Sequence, residues 1–201
     1  HHYYIYDETK STGSDRKVQL AQDLANALER DQLELYHQPQ LLANDFTLRS
    51  SEVLLRWHHS EFGFISPDEF IQIAEETGLI DRVTNWVIDK SFQHAMQLKS
   101  LGIEQCNTSI NVSANDMSRE NFSFEVSDLI ANYDLSPNQF TLEITETTSL
   151  TNSINFEDNI NRLALLGFKL AIDDFGTGYS SLTYANEHPF NEFKLDRSFV
   201  Q

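Results

Sequence analysis

Short strand-like segments alternate with longer helix-like segments from residue 33 onward, and this order of elements constrains the fold more than any other feature. Strands are predicted over 33–38, 51–57, 108–112, 140–145, 168–173 and 192–195. Parallel strands joined by right-handed crossover helices produce such an alternation. Two architectures fit it, a doubly wound open sheet and a (β/α) barrel.

The predicted helices carry clear start and stop signals. Ser66 and Pro67 suit the cap and the first position of a helix, Glu69 completes a capping box with Ser66, and Gly78 suits the position after the last turn. Apolar residues at helical spacing predict further helices over 18–28, 81–101, 124–133 and 156–166.

Composition narrows the class of protein. With 201 residues, 40% of them hydrophobic, the chain can fill a sizeable core, and one main domain is expected. The net charge of −17 argues against binding a nucleic-acid polymer, because Lys and Arg supply that affinity. Cys106 is the single cysteine, so no intrachain disulfide forms and a reducing cytoplasm is the expected location. No stretch reaches the roughly 18–20 apolar residues of a membrane span.

Two adjacent carboxylates, Asp173 and Asp174, stand where a predicted strand gives way to a glycine-containing loop. Neighbouring side chains of a regular strand point to opposite faces, so both acids can serve one site only where the backbone bends. Gly176 and Gly178 are expected to supply that bend. A pair of hard oxygen ligands here suits a divalent cation bound to a phosphate. The alternative is an Asx-type turn at the strand exit.

Polar residues near the C-terminal ends of five different strands distinguish the two architectures. They are Glu52, Asn111, Glu143, Asp173 and Lys194. An open sheet concentrates its ligand at one switch point and uses mainly two or three strands, whereas a barrel collects strand ends from all round the ring. A (β/α) barrel is therefore predicted.

Acids gathered in one barrel mouth need a counter-charge. Two carboxylates about 5 Å apart repel by about 3 kcal/mol at an effective dielectric constant near 20. Ligation by carboxylates and one amide suits Mg²⁺ or Mn²⁺ and disfavours zinc, while Ca²⁺ fits the ligands and is expected to inhibit. Lys194 shares a strand face with Asp196. It can therefore stabilise a transferring phosphoryl group or form an ion pair with Asp196 or another nearby acid.

A series of ordered motifs resembles the EAL family of cyclic di-GMP phosphodiesterases. The motifs lie at 36–39, 52–57, 65–71 with 74–80, 111–113, 143–146, 173–182 and 194–200, and the likeness runs unbroken from residue 33 to 201. The family's signature Glu-Ala-Leu reads Glu52-Val53-Leu54 here. Val53 is expected to face away from the metal side, so this change should cost little.

The resemblance implies a TIM-like barrel that hydrolyses cyclic di-GMP to linear pGpG with two Mg²⁺ or Mn²⁺ ions. The implied metal ligands are Glu52, Asn111, Glu143, Asp173 and Asp174. Lys194 would position the attacking water and Asp196 would support it or the second metal. Glu146 would anchor the loop over 175–181. Gln38, Leu54 and Arg56 would bind the substrate, Arg56 through its phosphate.

The resemblance also predicts the domain organisation. Residues 1–13 resemble the end of a GGDEF domain, 14–32 form a linker helix, and 33–201 form an EAL domain with about six of eight βα units. Little turnover is expected from these 201 residues alone, because a further acid of the family lies beyond them. The full-length protein is expected to be an enzyme, and the alternative is an inactive cyclic di-GMP receptor or scaffold. A homodimer through the EAL domain is a further expectation.

Overall fold

A computed structural model of the chain describes residues 8–30, 32–103, 107–145, 153–176 and 188–199. Its helices are α1 (Glu8–Ala27), α2 (Pro67–Thr77), α3 (Ile80–Ser100), α4 (Ala114–Ser118), α5 (Phe122–Ala131) and α6 (Ile154–Leu166). Its strands are β1 (Leu33–Leu41), β2 (Leu48–His59), β3 (Gly63–Ile65), β4 (Asn107–Val112), β5 (Phe140–Thr145), β6 (Lys169–Phe175) and β7 (Glu192–Leu195). Every predicted strand is present, with ends that shift by a few residues.

The strands follow one another through the sheet in chain order, β1-β2-β4-β5-β6-β7, with β3 beside β2. Each neighbouring pair from β2 onward along this path is parallel. A doubly wound sheet reverses its strand order at a switch point, and the described strands contain no such reversal. Parallel strands added one after another in the same direction are the winding of a TIM-like (β/α) barrel, which confirms the predicted fold class.

The first strand departs from the predicted pattern of parallel strands joined by helices. β1 and β2 are neighbours, and their connection over 42–47 closes with the N–H of Leu42 donating to the carbonyl of Thr47 at 2.9 Å. A parallel crossover needs about a dozen residues or more, so this pair forms an antiparallel hairpin. The sequence does not predict β3, which pairs antiparallel with the end of β2, because so short a strand shows no periodicity.

Residues 1–34 and 55–83 form the first of two compact units. Leu20, Leu24 and Ala27 recur at helical spacing along α1 and are fully buried, as that spacing predicts. The Arg16 guanidinium on the same helix donates to both carboxylate oxygens of Glu69 in α2, at 3.0 and 3.1 Å. An apolar stripe and a charged pair therefore join α1 to α2.

Helix α2 begins and ends where the sequence predicts, but the predicted capping box is wrong. Pro67 occupies the first turn, and Gly78 closes the helix with a left-handed φ of 71°. Ser66 makes no side-chain cap hydrogen bond, and the Glu69 carboxylate binds Arg16 instead. A bidentate, charge-assisted bond to a guanidinium is stronger than a bond to a backbone N–H, so Glu69 pairs with Arg16 and does not cap the helix.

Residues 35–54 and the described residues from 84 onward form the second unit, which contains the predicted metal ligands and Lys194. Phe92 of α3 packs edge-on against Phe140 of β5, with ring centroids 4.6 Å apart. Leu142 and Leu170 on neighbouring strands are fully buried. Strands covered on both faces read as near-continuous apolar runs, and this explains why β6 stands out in the sequence, whereas β5 alternates apolar and polar residues.

The N-terminal helix starts earlier than the sequence predicts. α1 begins at Glu8, inside a stretch whose polar composition suggests turns. The assignments of 1–13 to an upstream GGDEF-like domain, 14–32 to a linker and 33–201 to an EAL domain stay predictions. Among the described residues, no helix is both long and apolar enough to cross a bilayer.

Candidate functional site

Strand register brings the predicted polar residues to one level of the sheet. Asn111 of β4 pairs directly with Glu143 of β5. On one side, Glu52 of β2 pairs with Ser109, two residues before Asn111. On the other, Asp173 of β6 lies two residues beyond the partner of Glu143. These offsets of two, zero and two residues follow the stagger of tilted barrel strands, which brings all four side chains to one level.

Three carboxylates meet a lysine at this level. Oxygen atoms of Glu52, Glu143 and Asp173 all lie within 4.8 Å of one another. Nζ of Lys194 on β7 donates to each of them, at 3.0 Å to Glu52, 2.7 Å to Glu143 and 3.3 Å to Asp173. The amide of Asn111 donates to the other oxygen of Glu52 at 3.2 Å. These five residues are called the strand-end cluster below.

Burial and neighbouring charges have opposite effects on the pKa values of Glu143 and Lys194. Burial raises the pKa of Glu143, which is 2% exposed, and the nearby Glu52 charge adds to this, while the bond to Lys194 acts against it. Burial lowers the pKa of Lys194, but hydrogen bonds and attraction to Glu143, with further help from Glu52 and Asp173, outweigh it and leave that pKa raised. The cluster therefore favours a bound positive charge.

The two adjacent aspartates lie at a bend, although the bend differs from the predicted one. Asp174 itself adopts a positive φ of 55°, and the register between β6 and β7 shifts between Ile172 and Phe175. The N–H of Asp174 donates to Oδ1 of Asp173 at 3.0 Å. Aspartate tolerates the left-handed conformation better than most residues, so the strand bends two residues before Gly176 and continues to Phe175. Gly176 also has a positive φ of 101°, as expected of a glycine that supplies a bend. Gly178 lies outside the described residues.

Asp174 and Asp196 add negative charge beside the cluster. Partial burial raises the pKa of Asp174, and the charges of Asp173 and Asp196 raise it further. Asp196 follows β7, and its Oδ1 accepts the N–H of Ser198 at 2.9 Å. This mutual repulsion adds to the demand for positive charge beside the cluster.

The residues predicted to bind the substrate lie on the first two strands. Gln38 is exposed on β1, and Leu54 is half-buried on β2. Arg56, also on β2, donates to the carbonyl of Leu55 at 2.9 Å. Their roles in substrate binding stay predictions. Glu146 and most of the loop that it would anchor lie outside the described residues.

Two buried polar residues are missed by sequence reasoning. Ser109 is 4% exposed, and its side chain hydrogen-bonds Glu143. It precedes Asn111 by two positions on the same strand, and this same-face spacing could have identified it. Asp116, fully buried in α4, accepts hydrogen bonds from the Ser113 hydroxyl at 2.5 Å and the Thr84 hydroxyl at 2.8 Å. A Ser-x-x-Asp capping box is its sequence signal.

The donor atoms of the cluster fit a hard divalent cation. Glu52, Glu143 and Asp173 converge with carboxylate oxygens, Asn111 adds an amide, and the described residues place neither Cys nor His among them. Oxygen ligands of this kind suit Mg²⁺, Mn²⁺ or Ca²⁺ and not a structural zinc. The raised pKa of Glu143 shows in addition that its ionised form needs a nearby positive charge.

The fold and the cluster together define a TIM-like barrel domain with an acidic cluster at its strand ends. The family model for the EAL domain matches residues 21–201. The chain therefore belongs to the EAL domain family, and the resemblance drawn from its motifs is confirmed.

Similar proteins and structures agree with this assignment. The chain is 34% identical over 198 residues to the bifunctional diguanylate cyclase/cyclic di-GMP phosphodiesterase MucR of Pseudomonas aeruginosa, covering 98% of this chain and 29% of that protein. It is 36% identical to the cyclic di-GMP phosphodiesterase NbdA of the same organism, over 92% of this chain and 24% of NbdA. The solved PaMucR phosphodiesterase in complex with c-di-GMP superposes with a TM-score of 0.84 and 38% identity, covering 90% of this chain and 74% of that one. The chain thus spans under a third of the length of these two curated relatives.

Proposed function

We propose that this protein hydrolyses one phosphodiester bond of cyclic di-GMP and releases linear pGpG, and that the strand-end cluster carries the reaction. The convergence of Glu52, Glu143, Asp173 and Lys194 from four strands is the observation that supports this most. Relatives named as cyclic di-GMP phosphodiesterases and a similar structure named as a c-di-GMP complex supply the substrate class.

The cluster would hold the catalytic cations through its oxygen atoms. Glu52, Asn111, Glu143 and Asp173 would bind one Mg²⁺ or Mn²⁺, and Asp173 with Asp174 would bind a second. A divalent cation supplies two things when bound, a more acidic water and stabilisation of charge on the phosphate. Ca²⁺ would occupy the same ligands and inhibit.

The remaining residues would orient the substrate and the attacking water. The Lys194 ammonium would donate to that water or to a phosphate oxygen, and Asp196 would accept a proton from the water. The water oxygen would attack phosphorus, the bond from phosphorus to the 3′ oxygen would break, and the 3′ oxygen would take up the proton that the water released, returned by Asp196 or through solvent. Gln38, Leu54 and Arg56 would bind the substrate, and Glu146 would hold the loop over 175–181.

The test is turnover by the full-length protein. Purified protein is incubated with cyclic di-GMP and Mg²⁺ or Mn²⁺, and pGpG is separated by chromatography. Glu52→Ala is expected to lower turnover at least about a hundredfold, because it removes a charged ligand. Glu76→Ala is the matched control, since Glu76 pairs with Lys17 on a helix surface. Its turnover should stay at the wild-type level.

The outcomes separate an enzyme from a binding protein. If wild-type protein binds cyclic di-GMP in the presence of Mg²⁺ and of Mn²⁺ but forms no pGpG above background with either ion, the protein is a receptor. The proposed function would then be wrong. Equal turnover by Glu52→Ala and wild type would contradict the role of Glu52 alone. The cytoplasmic location and the homodimer remain proposals beside this one.

A further inference from the structure

The ammonium group of Lys194 lies at the point where a cation would bind. An ammonium has three N–H groups, and Lys194 directs hydrogen bonds of 2.7 to 3.3 Å at three carboxylates. Oxygens of the same three residues approach one another within 4.8 Å and form the candidate metal ligands. One set of oxygen atoms therefore has two prospective partners, the tethered ammonium and a divalent cation.

We propose that Lys194 is an internal counter-ion that competes with the divalent cation for Glu52, Glu143 and Asp173, and so sets the affinity of the site for metal. The inference rests on the cation site described under the proposed function, and it does not depend on turnover. It gives Lys194 a task in the substrate-free protein, in addition to its proposed contact with the water.

The competition follows from charge and tethering. A lysine attached to the adjacent strand acts at a high effective concentration, so it neutralises part of the carboxylate charge whenever no metal is bound. A cation that binds must either displace the ammonium or accept its repulsion at short range, and both lower the affinity. The carboxylates are well placed for strong coupling, because the Glu143 side chain is only 1% exposed.

The lysine can also leave the cluster. Its side chain is 20% exposed, so part of it is already open to solvent. Its four-carbon stem is flexible, and its ammonium is a compact charge that bonds without the fixed geometry of a guanidinium. Displacement therefore requires a rotamer change and no movement of β7.

A structural ion pair would behave differently. If Lys194 only neutralised the three acids, its loss would destabilise the protein and would leave metal affinity equal or weaker. If it competes, its loss leaves three carboxylates without a partner charge, and the metal becomes both more tightly bound and more important for stability. The two readings predict opposite changes in one measured constant.

The experiment is a titration of the metal-stripped, full-length protein with Mn²⁺ by calorimetry, without substrate. Lys194→Met is expected to lower the dissociation constant for Mn²⁺ about tenfold or more relative to wild type. Lys194→Arg keeps the charge and should stay within about threefold of wild type. Lys99→Met is the matched control, because Lys99 pairs with the single exposed carboxylate of Asp134 at 2.7 Å. Its affinity should not change.

A second readout covers the case in which Lys194→Met folds poorly. Saturating Mn²⁺ should raise the melting temperature of Lys194→Met, or of the more polar Lys194→Gln, by more than it raises that of wild type. Equal or weaker Mn²⁺ binding by these variants, or an equal or smaller thermal gain, would overturn the inference. Absence of pGpG formation would overturn the proposed function alone, since the titration contains no substrate.

Discussion

Leu142 and Glu143 are consecutive residues of β5, so their side chains point to opposite faces of the sheet. Substitutions at the two positions should therefore have opposite effects on stability and on the site. Leu142 is fully buried in the apolar core, while Glu143 points to Lys194 and bonds it at 2.7 Å. Leu142→Ala should damage stability and spare the site. Glu143→Gln should damage the site and spare stability.

The size of each effect follows from the surroundings of the side chain. Leu142→Ala removes a fully buried isobutyl group and leaves a cavity, which should lower the free energy of unfolding by about 2–5 kcal/mol. Glu143→Gln keeps the shape and one oxygen that can accept from Lys194, so the free energy of unfolding should change by at most about 1 kcal/mol. Burial already raises the pKa of Glu143, which means that its charged form contributes little net stability.

For metal affinity, Glu143→Gln should have the larger effect and Leu142→Ala the smaller one. Glu143→Gln replaces the most buried anionic ligand by a neutral amide, which should weaken Mn²⁺ binding about a hundredfold or more. Leu142→Ala keeps every ligand atom, so the dissociation constant should stay within about threefold of wild type.

Two measurements check this pair of predictions. Urea unfolding followed by circular dichroism gives the free energies, and calorimetric Mn²⁺ titration gives the affinities at a temperature where both variants are folded. The reasoning from strand faces fails if Leu142→Ala weakens Mn²⁺ binding as much as Glu143→Gln does. It also fails if both variants lose the same stability.

Two further predictions concern backbone conformation and pH. Gly176→Ala should lower the free energy of unfolding by more than about 1 kcal/mol, because Gly176 has a φ of 101° and a Cβ there would collide with the Phe199 ring; an unchanged urea midpoint would contradict this. His37 and His94 stack with ring centroids 3.9 Å apart, and burial lowers the pKa of both below 6.5. Their contribution to stability is therefore complete above pH 6.5 and is lost as the pH falls through the lowered values. His94→Phe should flatten that loss in urea titrations across this pH range, and an unaltered slope would refute the assignment.

Much of the fold can be predicted from local patterns in the sequence. The helix that ends at Gly78 has a proline start and a glycine stop, both of which act within one turn. The strand that carries Asp173 contains an apolar run typical of a strand buried on both faces, and the strand that carries Glu143 shows the two-residue alternation of a strand. The hairpin of β1 and β2 departs from the pattern because a short connection between strands, not their composition, sets their relative direction.

Polar partners are less predictable, because each has several candidates at similar local spacing. Glu69 has the right position for a capping box, yet it binds Arg16, which lies 53 residues away in the chain. The bend at the aspartate pair begins at Asp174 and not at the first glycine. In both cases a contact or register distant in sequence outweighs a local preference worth about 1 kcal/mol.

The sequence by itself determined the kinds of element, their order and the residue types at the strand ends, because periodicity and side-chain chemistry are local properties. Only the tertiary structure decided which charges meet. Lys194 and Asp196 share a strand face in the sequence, but the ammonium bonds Glu52 at a separation of 142 residues, together with Glu143 and Asp173. That choice depends on strand order and stagger, which bring distant strand ends to one height and cannot be read from spacing along a single strand.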